Sequence, residues 1–295
     1  MKKNHSAFSL VELSIVILII GILVTGITQS SRLVKQFRLS TAQSLTQSSP
    51  VASIKNLTLW LETSNEESLV NADGNNEFED DTEVVIWKDF NPQSTQKLIF
   101  TNSENFPAYS ENGINKLPSI NFTAADSDCL KSSVTPIGAG DDSYTIFAVW
   151  QRRDIGASGS IIASQDANSG GDNELASFLL LDGNYGFSGG ANDFGEVATA
   201  EGVTYISAVK IDNNKEENVS LYTNSTTPIS GTSTNEGSSM SISNQVFTIG
   251  CRDVSGAQNY DGLISEIIVF DRTLKNEEIS SIFTYLGKKY SVTIN

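Results

Sequence analysis

Residues 260–290 read YDGLISEIIVFDRTLKNEEISSIFTYLGKKY, and two patterns meet in them. EIIVF, residues 266–270, is apolar after its first residue, as in a central strand of a sheet. Six residues later the period changes. Asn276 is placed to cap a helix, with Glu277 and Glu278 in a first turn where the helix dipole favours acids. Ile279, Ile282, Phe283 and Leu286 then mark one helical face. Gly287 reads as the C-terminal cap, with Lys288 and Lys289 beside it.

Working back from this stretch, short β-rich runs recur between clusters of Gly, Asn, Asp and Ser. They are LTLWL, VVIW, KLIF, PSINF, YTIFAVW, GSIIA, ASFLLL, VTYISAVKI, NVSLY, QVFTIG and GLISEIIVF. Many short strands with this punctuation predict an all-β sandwich or barrel. YTIFAVW is a second candidate for a central strand. No exact internal repeat is present.

The other end of the chain has a different texture. Lys2 and Lys3 form a charged head. Phe8 to Ile27, FSLVELSIVILIIGILVTGI, is then almost wholly apolar. Twenty helical residues reach about 30 Å, the depth of a bilayer's hydrocarbon core. Glu12 interrupts the run, and a carboxylate at such a depth costs about 2.5–3.5 kcal/mol, so it needs a functional reason and a partner. Thr28 to Ser48 continues the helix, with a partial apolar stripe at Leu33, Val34, Phe37 and Leu45. Arg32, Lys35 and Arg38 sit near its membrane end. Ser49-Pro50 stops it, because the residue before proline avoids the α region. From Phe8 to Ser49 an unbroken helix would be about 63 Å long.

The 295 residues carry a formal charge of −16, or −18 once Lys2 and Lys3 are removed. Such a surface repels phosphate backbones and anionic lipid headgroups, so no nucleic acid is expected as a partner and the membrane connection is expected through the helix rather than the surface. The only histidine, His5, lies before the apolar run. Without it, Ser-His-Asp and Cys-His catalysis and His-ligated zinc are excluded. The two cysteines, Cys129 and Cys251, leave two readings open: a disulfide, or two separate buried thiols.

Glu79, Asp81 and Glu83 stand at i, i+2, i+4, a spacing that on one strand would aim three carboxylates into one cleft. Here they lie in the polar run NEFEDDTE, which reads as a solvated loop. Asp73 to Glu77 and Asp166 to Asn173 could offer oxygen ligands to calcium, but turn chemistry explains both clusters. No other cofactor or metal is expected. Trp60, Trp87 and Trp150 lie within apolar strand runs and read as core rather than as platforms for sugars.

The basic leader, a small residue, Phe, then S-L-V-E-L and an aliphatic run resemble the type IV prepilin signal over roughly residues 1–47. The resemblance implies cleavage between Ala7 and Phe8 by prepilin peptidase, N-methylation of Phe8, and a role for Glu12 in filament assembly. The family's usual residue before the cut is Gly, where this chain has Ala7. The stretch 260–290 is similar to the closing motif of laminin G-like, or concanavalin A-like, jelly rolls. LTLWLETS, VVIWKDFN and FPAYSENGINKLPSINF follow the order of bacterial members, so this resemblance covers roughly residues 56–290.

Together they imply a mainly β chain: a concanavalin A-like jelly-roll sandwich preceded by a long N-terminal transmembrane α-helix. The expected divisions are a leader at 1–7, the transmembrane and filament-forming helix at 8–49, a linker at 50–55 and the jelly roll at 56–295. The implied protein is a minor or tip pilin-like subunit of a type IV pilus or related filament. Its partners are other pilin or pseudopilin subunits, and a glycan or protein held by the head. It stands in the inner membrane with the head in the periplasm, then in a surface pilus or a periplasmic pseudopilus. The alternatives are a type II secretion pseudopilin that engages cargo or machinery, and a membrane-anchored glycoside-active enzyme. On the reading of residues 79–83, no enzymatic activity is expected.

Overall fold

Helix α1, Leu10–Gln47, leads into a sandwich of two antiparallel sheets, and helix α2, Asn276–Tyr290, packs on the outer face of one of them beside the base of α1. The computed structural model describes residues 10–95, 97–132, 134, 136–137, 143–154, 156, 158–164, 176–181, 184–189, 193–212, 219–229, 247–252 and 258–295. Among them lie sixteen strands. These are β1 Leu57–Glu62, β2 Leu69–Val70, β3 Ile86–Lys88, β4 Ile99–Thr101, β5 Ala108–Ser110, β6 Ser119–Phe122, β7 Leu130–Ser132 and β8 Tyr144–Arg152. The rest are β9 Gly159–Ser164, β10 Ala176–Leu181, β11 Asn184–Gly189, β12 Asp193–Ala198, β13 Thr204–Ile211, β14 Val219–Thr223, β15 Phe247–Ile249 and β16 Gly262–Phe270.

The first sheet runs β14-β13-β8-β16-β6-β5, with β1 also paired to β16; the second runs β12-β11-β10-β9-β15-β7-β4-β3-β2. Between the sheets lies one core, built from Leu59, Leu61, Trp87, Phe100, Ile146, Trp150, Val209, Phe247 and Ile267 among others. A second core covers the outer face of the first sheet. There Trp60, Phe147, Val149, Ile268 and Phe270 pack on Ile279, Ile282, Phe283 and Leu286 of α2 and on Ala42 of α1. Strands β8 and β16 are therefore buried on both faces, which is why YTIFAVW and, after Glu266, IIVF read as apolar runs.

The base of α1 belongs to this second core. Ala42 and Thr46 are 2 % exposed, and Val51 and Ile54 of the following turn are buried with them. The long helix is thus seated in the head before the first strand begins.

Helix α2 differs from its sequence-based bounds at both ends. Asn276 is its first residue rather than its cap; Lys275 N–H instead donates to Glu278 Oε2 at 2.8 Å, half of a capping box. Gly287 lies inside the helix, not at its end. It is buried, and a Cβ there would lie 2.8 Å from Ile294 Cγ1. The helix runs on because Lys289 and Tyr290 both have buried partners, and it ends at Ser291 with φ 55°.

Cys129 and Cys251 are joined as a disulfide with Cα atoms 5.4 Å apart, at the end of the β7–β15 pair. The bridge closes a separation of 122 residues, worth about 4–5 kcal/mol on the chain-entropy account. Thiol reagents are expected to label neither cysteine in the denatured, unreduced chain; labelling there would contradict the bridge. Asp128, next to it, is 5 % exposed and accepts a hydrogen bond from Thr123 N–H at 2.8 Å. Burial pushes its carboxyl up to about 6. A raised carboxyl favours the folded state while protonated, and that stability is lost as pH rises from about 4 through about 6. Asp128→Asn should therefore raise the melting temperature at pH 7–8 and leave it nearly unchanged at pH 4. An equal shift at both pH values would refute this.

Candidate functional site

Two strands set up the joint between helix and head. In the β1–β16 pairing, Glu62 stands directly opposite Glu266. Simple alternation from Ile264 would aim Glu266 between the sheets. A register shift between Ile264 and Glu266 turns it toward α2 instead. Two like charges facing each other across a ladder repel. Lys289, from the last turn of α2, lies between them, with Nζ 2.9 Å from Glu62 Oε2 and 2.8 Å from Glu266 Oε2. All three side chains are fully buried.

Glu266 is further held by three neutral donors. Trp60 Nε1 donates to Oε1 at 2.7 Å, Tyr285 OH to Oε1 at 2.8 Å, and Tyr290 OH to Oε2 at 3.0 Å. Burial alone would lower the Lys289 ammonium, but Glu266 and Glu62 hold it well above its ordinary range. Burial, then Glu266, pushes both tyrosines well up.

Helix α1 joins the same network. Thr46 Oγ1 lies 3.2 Å from Tyr285 OH, and Gln43 Nε2 donates to Ser64 O at 3.0 Å. Ser64 in turn donates from N at 2.9 Å and from Oγ at 2.5 Å to Glu62 Oε2. A chain of hydrogen bonds and one triple-charge cluster therefore run from α1 through α2 into the central strand. That arrangement fixes the head on the stalk.

A second feature is an open cavity of about 480 Å³ at the ends of β8, β16 and β6, bordered by Asn121, Gln151, Arg152, Arg153, Glu201 and Gly262. Gly262 has φ 150°, and a Cβ there would lie 2.2 Å from Gln151 O, so only glycine fits. Arg153 bonds Asp261 at 2.7 Å and also reaches Asn121. Arg152 is buried, donating to Asp154 O at 2.7 and 3.0 Å and to Thr199 Oγ1 at 3.0 Å. Burial lowers its guanidinium from the usual range. Amide, hydroxyl and guanidinium groups here form a hydrogen-bonding surface with fixed geometry.

The residues singled out in the sequence fall as follows. Ala7 and Phe8 lie outside the described residues, as do Asp166 to Asn173. Glu12 is exposed on α1. Around it Leu10, Leu13, Ile17 and Leu18 are all more than half exposed, an apolar shaft without a covering layer in the single chain. Among the described residues no helix is long and apolar enough to cross a membrane. Described side chains run unbroken only from 10 to 25, since those of 26–29 fall outside the description.

Glu79, Asp81 and Glu83 do not share a strand. Glu79 and Asp81 occupy an exposed turn closed by Thr82 N–H to Glu79 O at 3.1 Å, with Asp81 at φ 67°, and Glu83 follows it, exposed and bridged to Ala108. In the 71–77 loop, Asn71 Oδ1 accepts from the N–H groups of Asp73 and Asn75 at 3.0 and 3.2 Å. Among the described residues no group of three or more His, Cys, Asp or Glu could hold a metal ion. Trp60, Trp87 and Trp150 are at most 1 % exposed, and each indole N–H is hydrogen-bonded within the head.

The Glu62–Glu266–Lys289 cluster was not anticipated from the sequence. A signal was there: acids inside two apolar strand runs, and Lys289 seven residues after Ile282 on the apolar face of α2.

Residues 125–280, more than half of the chain, match the concanavalin A-like lectin/glucanases superfamily, and residues 2–28 match the prokaryotic N-terminal methylation motif. The chain therefore belongs to the concanavalin A-like lectin/glucanases superfamily, here behind an N-terminal methylation motif. No curated protein matches it. Among solved structures it is similar to a GH54 α-L-arabinofuranosidase soaked with a cyclic sulfate inhibitor. Identity is 10 %, with 79 % of this chain and 63 % of that one covered, at TM-score 0.57. The binding domain of Paraclostridial Mosquitocidal Protein 1 is 13 % identical over 77 % of this chain and 52 % of that one, at TM-score 0.50. A Trypanosoma rangeli sialidase is 12 % identical over 81 % of this chain, at TM-score 0.47. The chain spans only about a third of the sialidase's length, 34 %.

These likenesses show the fold alone. They nevertheless correct one expectation. The absence of enzymatic activity was inferred from residues 79–83, yet glycoside hydrolases such as the arabinofuranosidase share this fold. An exposed acidic turn therefore does not decide the matter.

Proposed function

We propose that the chain is a minor or tip subunit of a type IV pilus or related filament, made to carry a lectin-like head on a membrane-anchored helix. A methylation motif joined to a lectin-like jelly roll is consistent with a pilin subunit. The single observation that carries the reading further is the joint. Ala42, Thr46 and Tyr285 fasten α1 into the head's second core, so force or position on the helix passes directly to the head. Cleavage between Ala7 and Phe8 frees the amine that Glu12 pairs with on a neighbouring subunit. The apolar shaft from Leu10 onward lies in the inner membrane first and in the filament core later.

The head's role in this reading is adhesion to a glycan. The open cavity at Asn121, Gln151 and Arg153 offers the donors and acceptors that hydroxyl-rich ligands require. The test is glycan-array binding by a head that keeps its share of the joint, residues 39–295. Binding that Gln151→Ala weakens, without a change in melting temperature, is the expected result. A head that binds no glycan at all would contradict the adhesive role.

A further inference from the structure

Where α1 meets the head on its membrane side, four cations border one cavity of about 730 Å³: Arg32, Lys35 and Arg38 of the helix and Lys116 of the head. Arg32, Arg38 and Lys116 are exposed. Among the described residues Glu111 pairs with Lys35, and Asp80 accepts the Glu111 N–H at 2.6 Å, so four cations meet two acids there. This is a local reversal in a chain whose net charge is −16.

The loop that supplies Lys116 is built against its own preference. Asn115 and Lys116 have φ of 50° and 62°, two consecutive non-glycine residues in the left-handed region. It is held there by buried Ile114, whose N–H donates to Ser119 Oγ at 2.8 Å, and by the Ser119–Ser265 hydroxyl contact at 2.6 Å.

The cluster also has a defined depth. At 1.5 Å per residue, Arg32, Lys35 and Arg38 lie about 8, 12 and 17 Å past Ile27, where the apolar run ends. A headgroup layer is about 5–8 Å thick, so Arg32 stands at its outer edge, while Lys35 and Arg38 lie beyond it and reach back toward it by the length of their side chains. We propose that this cavity seats the phosphate headgroups of anionic membrane lipids, so that before assembly the head rests on the membrane in one orientation. The inference rests on the membrane-anchored reading above. Juxtamembrane cations are each worth about fivefold in affinity for an anionic surface.

The test uses the full chain in lipid nanodiscs, either of phosphatidylcholine alone or with phosphatidylglycerol added. A membrane-impermeant amine reagent labels exposed lysines, read by mass spectrometry. The expected result is that Lys116 and Lys35 are protected in anionic discs but not in neutral ones, while Lys275 and Lys288 label equally in both. Arg32→Gln combined with Arg38→Gln leaves the labelled lysines in place and should reduce protection of Lys116 by at least about tenfold. Equal labelling in both discs overturns the proposal and leaves the anchor intact. Protection in neutral discs that grows with the number of chains per disc overturns it in favour of a second copy. A chain that enters neither disc refutes the anchor, and this inference with it.

Discussion

Lys289→Met is expected to destabilise the head by about 3–5 kcal/mol, because it leaves two buried carboxylates without their cation. Glu62 and Glu266 face each other in register, and the ammonium between them is the one charge that offsets their repulsion. For a domain of this size the melting temperature should fall by roughly 10 °C or more. The effect has a pH signature. A lysine held above its ordinary range contributes stability that is fully present below about 10.5 and is lost as pH rises through the folded-state value. Through the lysine's own titration, the gap between wild type and Lys289→Met should therefore narrow in strong alkali. Glu62→Gln and Glu266→Gln added to Lys289→Met should recover much of the loss, since no buried charge then remains. A single variant that melts within about 2 °C of wild type would remove the cluster's structural role.

Glu12→Leu is expected to reduce incorporation into filaments on the order of a hundredfold, without harming insertion or cleavage. The magnitude is that of a buried ion pair losing one partner, about 3 kcal/mol or more. On α1 this carboxylate stands among exposed Leu10, Leu13 and Ile17, a shaft that other subunits would cover in the proposed filament. A carboxylate so covered needs a cation or a proton. In the proposed filament, cleavage before Phe8 would free an amine that a neighbouring subunit supplies as that cation. The pair would then set the stagger between subunits. Leucine keeps the apolar surface and improves insertion, so a defect confined to assembly separates this role from anchoring. Normal amounts of Glu12→Leu in sheared filament fractions would leave the carboxylate without a role.

Much of the sandwich was legible because apolar runs mark strands wherever a face is buried. All eleven runs quoted from the sequence contain strands. The five that escaped, β2, β5, β7, β11 and β12, are two or three residues long or carry glycine and acids, and they owe their place to pairing rather than to pattern. YTIFAVW was read as central, but its second covering layer was not foreseen. That layer is α2 and the foot of α1, brought there by tertiary packing. Lys289 escaped for a related reason. A lysine beside a glycine near a helix end reads as a solvated C-terminal cation, and only the meeting of β1, β16 and α2 turns it into a buried counter-charge. The stop at Gly287 failed with it, since the helix gains a turn by delivering Lys289 and Tyr290. The N-terminal segment is the opposite case, because its meaning is carried by spacing along the chain.

The most direct test is the mass of the chain's N-terminus in filaments sheared from cells. A mature chain that begins at Phe8 and carries an N-methyl group is the predicted result. A chain absent from the filaments, or one that begins beyond Thr25, would contradict a pilin-like subunit bearing a lectin-like head.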